Sequence, residues 1–202
     1  MGAHGLRLRL REATSNAILD AAEQVAAEGG SSNASLQAIA ERAGIAVGTI
    51  YNYFEDREEL FDALGARRNE ELFDAIDVSA KKHAHEHFEA QLHAFVRTVL
   101  GHFDGRRAFL RIALEGELPV TKALPDKDGR RRPAMQLLQE RAKRIMRVGA
   151  RESRLRDESS DLLATVLVSI VRGVLVVRAQ DSQAFSPETE HVVTLFLHGA
   201  AR

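Results

Sequence analysis

Residues Ser35–Phe54 read SLQAIAERAGIAVGTIYNYF. Ser35 can cap a short helix whose buried face is Ile39, Ala40 and Ala43. Gly44 falls where the chain must leave that helix sharply, through a left-handed conformation that glycine adopts at no steric cost. Ile45 and Ile50 point back into the same small core, while a second helix shows Val47, Gly48, Thr49, Asn52 and Tyr53 to solvent. A short helix, a glycine turn and a second helix with a small, polar and aromatic outer face make the helix-turn-helix pattern. Gly48 and Thr49 are small enough to let that second helix enter a major groove. The hydroxyls of Thr49, Tyr51 and Tyr53 can reach phosphates, and the Asn52 amide can pair with a base edge. Phe54 reads as core, and Tyr51 as a packed ring with an exposed hydroxyl.

Outward from this stretch the chain reads as helix almost throughout. Ile18, Leu19, Ala22, Val25 and Ala26 form an apolar stripe that ends at Gly29-Gly30. Asp56-Arg57-Glu58-Glu59 is a capping box that opens a connecting helix, so the boundary between a small N-terminal unit and a larger body is set after Phe54. In the body, Phe88, Leu92, Phe95, Val96, Val99 and Phe103 make one stripe. Leu163, Val166, Leu167, Ile170, Val174 and Leu175 make a second, and Val192, Val193, Phe196 and Leu197 a shorter third. Ser186-Pro187-Glu188 opens the last helix with a hydroxyl cap, a proline and an early acid. The stretch Leu118–Pro133 reads as an irregular connection between helices.

The run Ile18–Leu60, ILDAAEQVAAEGGSSNASLQAIAERAGIAVGTIYNYFEDREEL, resembles the DNA-binding domain of the TetR family of bacterial transcriptional regulators. The glycine turn, GTIYNYF and the following DREEL all stand in register. The resemblance implies an all-α protein: a three-helix helix-turn-helix DNA-binding domain over residues 1–56, and a helical effector-binding and dimerisation domain over 57–202. It implies that Ser35 and Gln37 join Val47, Gly48, Thr49, Tyr51 and Tyr53 at the DNA, and that Arg57 contacts a phosphate. Two positions depart from the family pattern. Ala46 stands where serine is frequent, so the second helix lacks a side-chain cap worth about 1 kcal/mol. Arg57 stands where lysine is usual, keeping the charge but altering its geometry. The implied function is that of a homodimeric repressor, released from a palindromic operator by a small-molecule effector.

Composition bounds this reading. The 202 residues are 45% hydrophobic and 28% charged, ordinary for a globular protein. There is no cysteine, which excludes disulfides and thiolate metal sites and fits a cytoplasmic address. The N-terminus has no apolar signal core, and no apolar run is judged long enough to span a bilayer. The nearest, Leu162–Val177, is interrupted by Ser169 and Arg172, so no membrane partner is expected. Charge runs against DNA binding: residues 1–60 carry five arginines against nine carboxylates, a net charge of −4. Phosphate contacts must then come from a few placed cations, hydroxyls and backbone N–H groups.

Four further features carry expectations. Leu6-Arg7-Leu8-Arg9-Leu10-Arg11 alternates like a strand and reads either as a basic arm reaching a minor groove or as a solvated terminus. His83 and His87, four apart on one helical face with His85, Glu86, Glu89 and His93 nearby, have the spacing of a metal pair, but the hydrophilic KKHAHEHFE reads better as a solvated helix start; no metal and no cofactor are expected. No nucleophile motif or glycine-rich phosphate loop is present, so the chain reads as no enzyme. Residues 130–156 hold ten Arg or Lys against Glu140 and Glu152, a solvated helix face or an attractor for an acidic partner or ligand. The family outline makes Phe88, Leu92, Phe95, Phe109, Leu138 and Met146 candidate walls for an apolar or amphipathic effector, each of which can equally be plain core. The dimer face is expected from Val166, Ile170, Val174 and Val177 with Val192, Leu195 and Phe196, because a band wider than one stripe has two partners to cover.

Overall fold

The computed structural model describes residues 3–30, 33–114, 123–125, 131–155, 159–179, 185 and 188–200. Its helices are α1 (Ala3–Gly29), α2 (Leu36–Ala43), α3 (Val47–Ile50), α4 (Arg57–Lys82), α5 (Phe88–Asp104), α6 (Arg107–Leu114), α7 (Ala134–Arg151), α8 (Ser160–Arg178) and α9 (Glu188–Ala200). A short antiparallel pair joins β1 (Ala123–Pro125) to β2 (Arg131–Pro133), with Leu124 opposite Arg132. The expected all-α architecture holds, and the pair of strands corrects the irregular reading of Leu118–Pro133; the remainder of that stretch, like Ser186 and Pro187, lies outside the described residues. The chain forms two compact units. The first takes Met1–Arg67 and Arg111–Pro119; the second takes Arg68–Leu110 and Val120–Arg202, so α4 contributes residues to both.

In the first unit four of the five α1 stripe residues are buried, Ile18, Leu19, Ala22 and Ala26, in a core with Ile39 and Ala40 of α2 and with Ile50, Phe54, Leu60 and Leu64, while Val25 is half-buried. Gly30, at φ 80°, ends α1 and donates its N–H to the Ala26 carbonyl at 3.0 Å. The segment Leu6–Arg11 is neither strand nor extended arm. It forms the first turns of α1, because a run without proline or turn residues extends the helix.

The second unit buries Phe88, Leu92, Phe95, Val96 and Val99 of α5 with Met146 of α7, Leu163, Leu167, Val171 and Leu175 of α8, and Val192, Val193 and Phe196 of α9. α7 approaches the start of α5 so closely that a Cβ on Gly149 would stand 2.7 Å from the Phe88 ring, which explains the glycine. By length and composition α8 is apolar enough to cross a membrane, which corrects the reading of Leu162–Val177: Ser169 and Arg172 interrupt it too sparsely. In this fold one side of α8 is nevertheless core of the second unit. The helical face read as shared by His83 and His87 is absent. α4 stops at Lys82 and the chain turns before α5, so the two rings share no helical face. His83 Nδ1 lies 2.8 Å from the Ser79 carbonyl instead, and no three potential ligands converge among the described residues.

His102 is the buried histidine of α5, facing Arg106, Glu71 and Arg68. Burial, helped by Arg106, pushes its pKa down to about 4. The unfolded chain takes up a proton near pH 6.5 that the folded chain refuses until about pH 4, so this site costs stability as pH falls through that window. His102→Leu should flatten the decline in urea midpoint between pH 6.5 and 4 relative to the unsubstituted chain. Parallel declines in the two proteins would show that His102 does not titrate this way.

Candidate nucleic-acid interface and effector cavity

The turn between α2 and α3 is closed by backbone alone. Gly44 sits at φ 68°, ψ 31°, its N–H donating to the Glu41 carbonyl (3.1 Å), and the next N–H, of Ile45, reaches back to Ala40 (3.0 Å). This pair of bonds is the Schellman arrangement, which a Cβ at Gly44 would strain. At the other end of α2, Ser35 Oγ accepts the Ala38 N–H at 3.1 Å, the cap that its position predicts. α3 is a single turn, but N–H groups of Asn52, Tyr53 and Phe54 continue to bond backward to Thr49 and Ile50. Ala46 provides no side-chain cap, as the sequence indicates. Asp56 Oδ1 accepts the Glu59 N–H at 2.8 Å and Glu59 bonds back to the N–H of Glu55, one residue earlier than an ideal capping box.

Gln37, Gly48, Tyr51 and Asn52 are exposed on this motif, Val47 and Thr49 half-exposed, and Ile50 and Phe54 buried. Tyr51 departs from expectation in being 56% exposed, and packing falls to half-buried Tyr53, whose ring lies 6.5 Å from that of Phe54 and 5.6 Å from the Arg11 guanidinium. Arg57 is turned into its own unit, with Nε donating to the Ala34 carbonyl at 3.1 Å and the guanidinium 4.7 Å over the Phe61 ring.

Of the six expected pocket walls, Phe88, Leu92, Phe109 and Met146 are core and Leu138 lines no cavity described; Phe95 alone reaches one. That cavity, about 270 Å³, lies in the second unit between α4, α5 and α7. Ile76, Ala80, Ala94, Ile145 and Val148 give it apolar walls. Arg141 is fixed at its edge by two bonds to Asp77 (3.1 and 2.9 Å) and by the Phe73 ring beneath it, 4.5 Å away. Arg144 is more loosely held, 3.9 Å from the same carboxylate, and Arg151 has no ion pair among the described residues. Both arginines also border a shallower depression of about 440 Å³ with Arg147 and Ser160. The three- and four-residue spacing of Arg144, Arg147 and Arg151 was the sequence signal for this basic rim.

On α8 the two-sided band is present. Leu163, Leu167, Val171 and Leu175 are core, while Leu162, Val166, Val176 and Val177 are exposed, Val177 by 75%; Ile170 and Val174 are half-exposed. Leu195 of α9 is 63% exposed, but Val192 and Phe196, on the adjoining face of α9, belong to the chain's own core.

The model of bacterial regulatory proteins of the tetR family matches residues 18–64, the span from the buried face of α1 through the turn into α4. Residues 18–64 therefore carry the DNA-binding domain pattern of the tetR family. The fatty acid metabolism regulator protein of Bacillus subtilis (strain 168) is 34% identical over 67 residues, 33% of this chain and 34% of that protein, so the match spans about a third of each. Among solved structures with the TetR-like fold, the fatty acid degradation regulator FadR of Bacillus halodurans superposes with a TM-score of 0.70 at 19% identity, covering 91% of this chain and 98% of its own. FadR of Bacillus subtilis in complex with stearoyl-CoA gives 0.71 at 16% identity over 91% and 97%. SmeT, the repressor of a Stenotrophomonas maltophilia multidrug efflux pump, gives 0.71 at 20% identity over 93% and 90%.

The uncapped start of α3 generates a direct test. Ala46 already has the extended backbone of a cap, φ −72° and ψ 144°, so Ala46→Ser should raise stability by about 1 kcal/mol in urea unfolding. An unchanged or lowered midpoint would mean that the serine hydroxyl does not reach the N–H groups of the α3 turn.

Proposed function

We propose that this protein is a sequence-specific DNA-binding regulator of the TetR family, a repressor that leaves a palindromic operator when a small anionic amphiphile occupies the second unit. The observation that carries the first part is the Gly44 turn with its outer face of Gln37, Gly48, Thr49 and Asn52: small or amide side chains held clear of the core on a rigid motif. Gln37, Thr49 and Asn52 read base edges; Ser35, Val47, Gly48, Tyr51 and Tyr53 line the backbone approach. Arg57, bound to Ala34 and Phe61, holds the start of α4 in place. In this reading residues 1–56 bind DNA, residues 57–202 bind effector and partner, and the protein works in the cytoplasm without catalysing a reaction.

The effector class follows from the cavity. Apolar walls favour an aliphatic group, and Arg144 and Arg151 at the rim favour an anionic head. That one neighbour of this fold was solved with stearoyl-CoA supports a fatty acyl derivative. Effector and operator binding oppose each other, so each weakens the other by the same factor. Duplexes selected from random DNA should shift with the protein, and Thr49→Ala or Asn52→Ala should change which sequence is preferred. Acyl-CoA should stabilise the protein in thermal shift and release the duplex, with Arg144→Gln plus Arg151→Gln reducing both effects. Failure to select any sequence, or tighter DNA binding on adding acyl-CoA, would overturn the repressor reading.

Two-fold symmetry lets one short reading element per chain gain affinity by holding two half-sites. The exposed Leu162, Val166, Val176 and Val177 of α8, with Leu195 of α9, form an apolar face suited to packing against its own copy. Val177→Glu and Leu195→Glu, both at exposed positions, should give folded monomers in light scattering and lose operator binding; a wild-type monomer at micromolar concentration that still shifts its operator would contradict the dimer.

A further inference from the structure

The first unit has more carboxylates than cations over residues 1–60, yet the proposed partner is a polyanion. Most of its cations are already engaged. Arg42 makes two bonds to Glu28 (2.9 and 2.6 Å), holding that carboxyl below its ordinary pKa. Arg67 bonds Asp20 and Asn16, Arg111 the Ala27 carbonyl at 3.1 Å, and Arg57 the Ala34 carbonyl and the Phe61 ring. Arg7, Arg9 and Arg11 enter no ion pair among the described residues, and all three are exposed.

These three stand on the second and third turns of α1, exposed along a stretch that has no acid before Glu12. Arg7 and Arg11, four apart, share one face. Arg11 lies over the Tyr53 ring, one residue from Asn52, which puts that face beside the reading element. We infer that the first turns of α1 are the main phosphate-binding element of the DNA interface: Arg7 and Arg11 grip the backbone flanking the groove that α3 enters, and Arg9 adds long-range attraction. A helix presents these charges to the sugar-phosphate ridge and does not thread a minor groove as an extended arm does.

Leu6, Leu8 and Leu10 are also exposed, at 57%, 56% and 58%, which raises an anionic membrane as the other partner. At 100° per residue Leu8 points nearly opposite Leu6 and Leu10, so the turns lack the single apolar face that an interfacial helix buries. Duplex DNA is the partner the geometry favours.

The inference rests on the DNA-binding reading, and its test separates the two. Full-length protein and the triple variant Arg7→Gln, Arg9→Gln, Arg11→Gln are titrated by fluorescence anisotropy, from low to moderate salt, with the selected duplex and an unrelated one. The salt slope of log K should fall in magnitude by about 2–3 for the triple variant, at about 0.9 per phosphate contact. Both duplexes should weaken alike, leaving the preference between them unchanged. A charge-matched control, Lys81→Gln, Lys82→Gln, Arg97→Gln in the second unit, should keep the wild-type slope. An unchanged slope in the triple variant, or an equal fall in the control, would overturn the inference alone; wild type that binds no duplex would overturn the reading beneath it. Phosphatidylserine vesicles should bind neither protein, and vesicle binding lost in the triple variant while the DNA slope stays put would assign these turns to a membrane.

Discussion

At Gly44 the chain leaves α2 with φ 68°, and the arrangement of the first unit depends on that angle. Two backbone bonds, Gly44 to Glu41 and Ile45 to Ala40, satisfy carbonyls that the end of α2 would otherwise leave unpaired, so the turn needs no side chain. With the turn set, Ile39, Ala40 and Ile50 meet in one core with Ile18 and Ala22, and the opposite faces of α2 and α3 are left without partners. Gln37, Gly48 and Asn52 are exposed for this reason. A substitution at Gly44 strains the backbone and the reading face together, because one dihedral controls both.

The second unit settles its apolar surplus differently. Its core takes one side of α8 and of α9, leaving Val177, Val166 and Leu195 outward. Its cations are likewise divided: Arg141 is held by Asp77 and Phe73, whereas Arg144 and Arg151 remain at the cavity rim. In both units the same distinction separates structural arginines from available ones. A guanidinium with a bidentate carboxylate or a carbonyl and a ring is part of the scaffold; one with neither is free to meet an anion.

Much of the first unit was legible because its signals are local. Ser35, Gly44 and Phe54 act through bonds or packing within a few residues, and each sits as its type and spacing indicate. Where two elements compete, periodicity is silent. It could not tell whether Tyr51 or Tyr53 packs, since the answer depends on Arg11, some forty residues away in sequence. Nor could it show that Arg57 folds back on Ala34. Leu-Arg alternation in Leu6–Arg11 imitates a strand, but a helix that is already running extends through it. His83 and His87 have metal spacing only if the helix continues, and it stops at Lys82. In the body the stripes of α5 and α8 were plain, whereas the cavity comes from small residues, Ala80 and Ala94, that leave room between helices and carry no periodic signal. Val192 and Phe196 share the apolar stripe of α9, and only packing shows that this stripe is core while Leu195 faces out.

The central claim is that DNA meets the chain on the outer face of the Gly44 motif and the first turns of α1. Amide chemical-shift mapping of 15N-labelled protein titrated with a selected duplex tests this most directly. The largest perturbations should fall on Gln37, Gly48, Thr49, Asn52 and Tyr53, with a second group at Arg7–Arg11. Perturbations concentrated on the basic rim at Arg144–Arg151, with the Gly44 motif unmoved, would contradict the account.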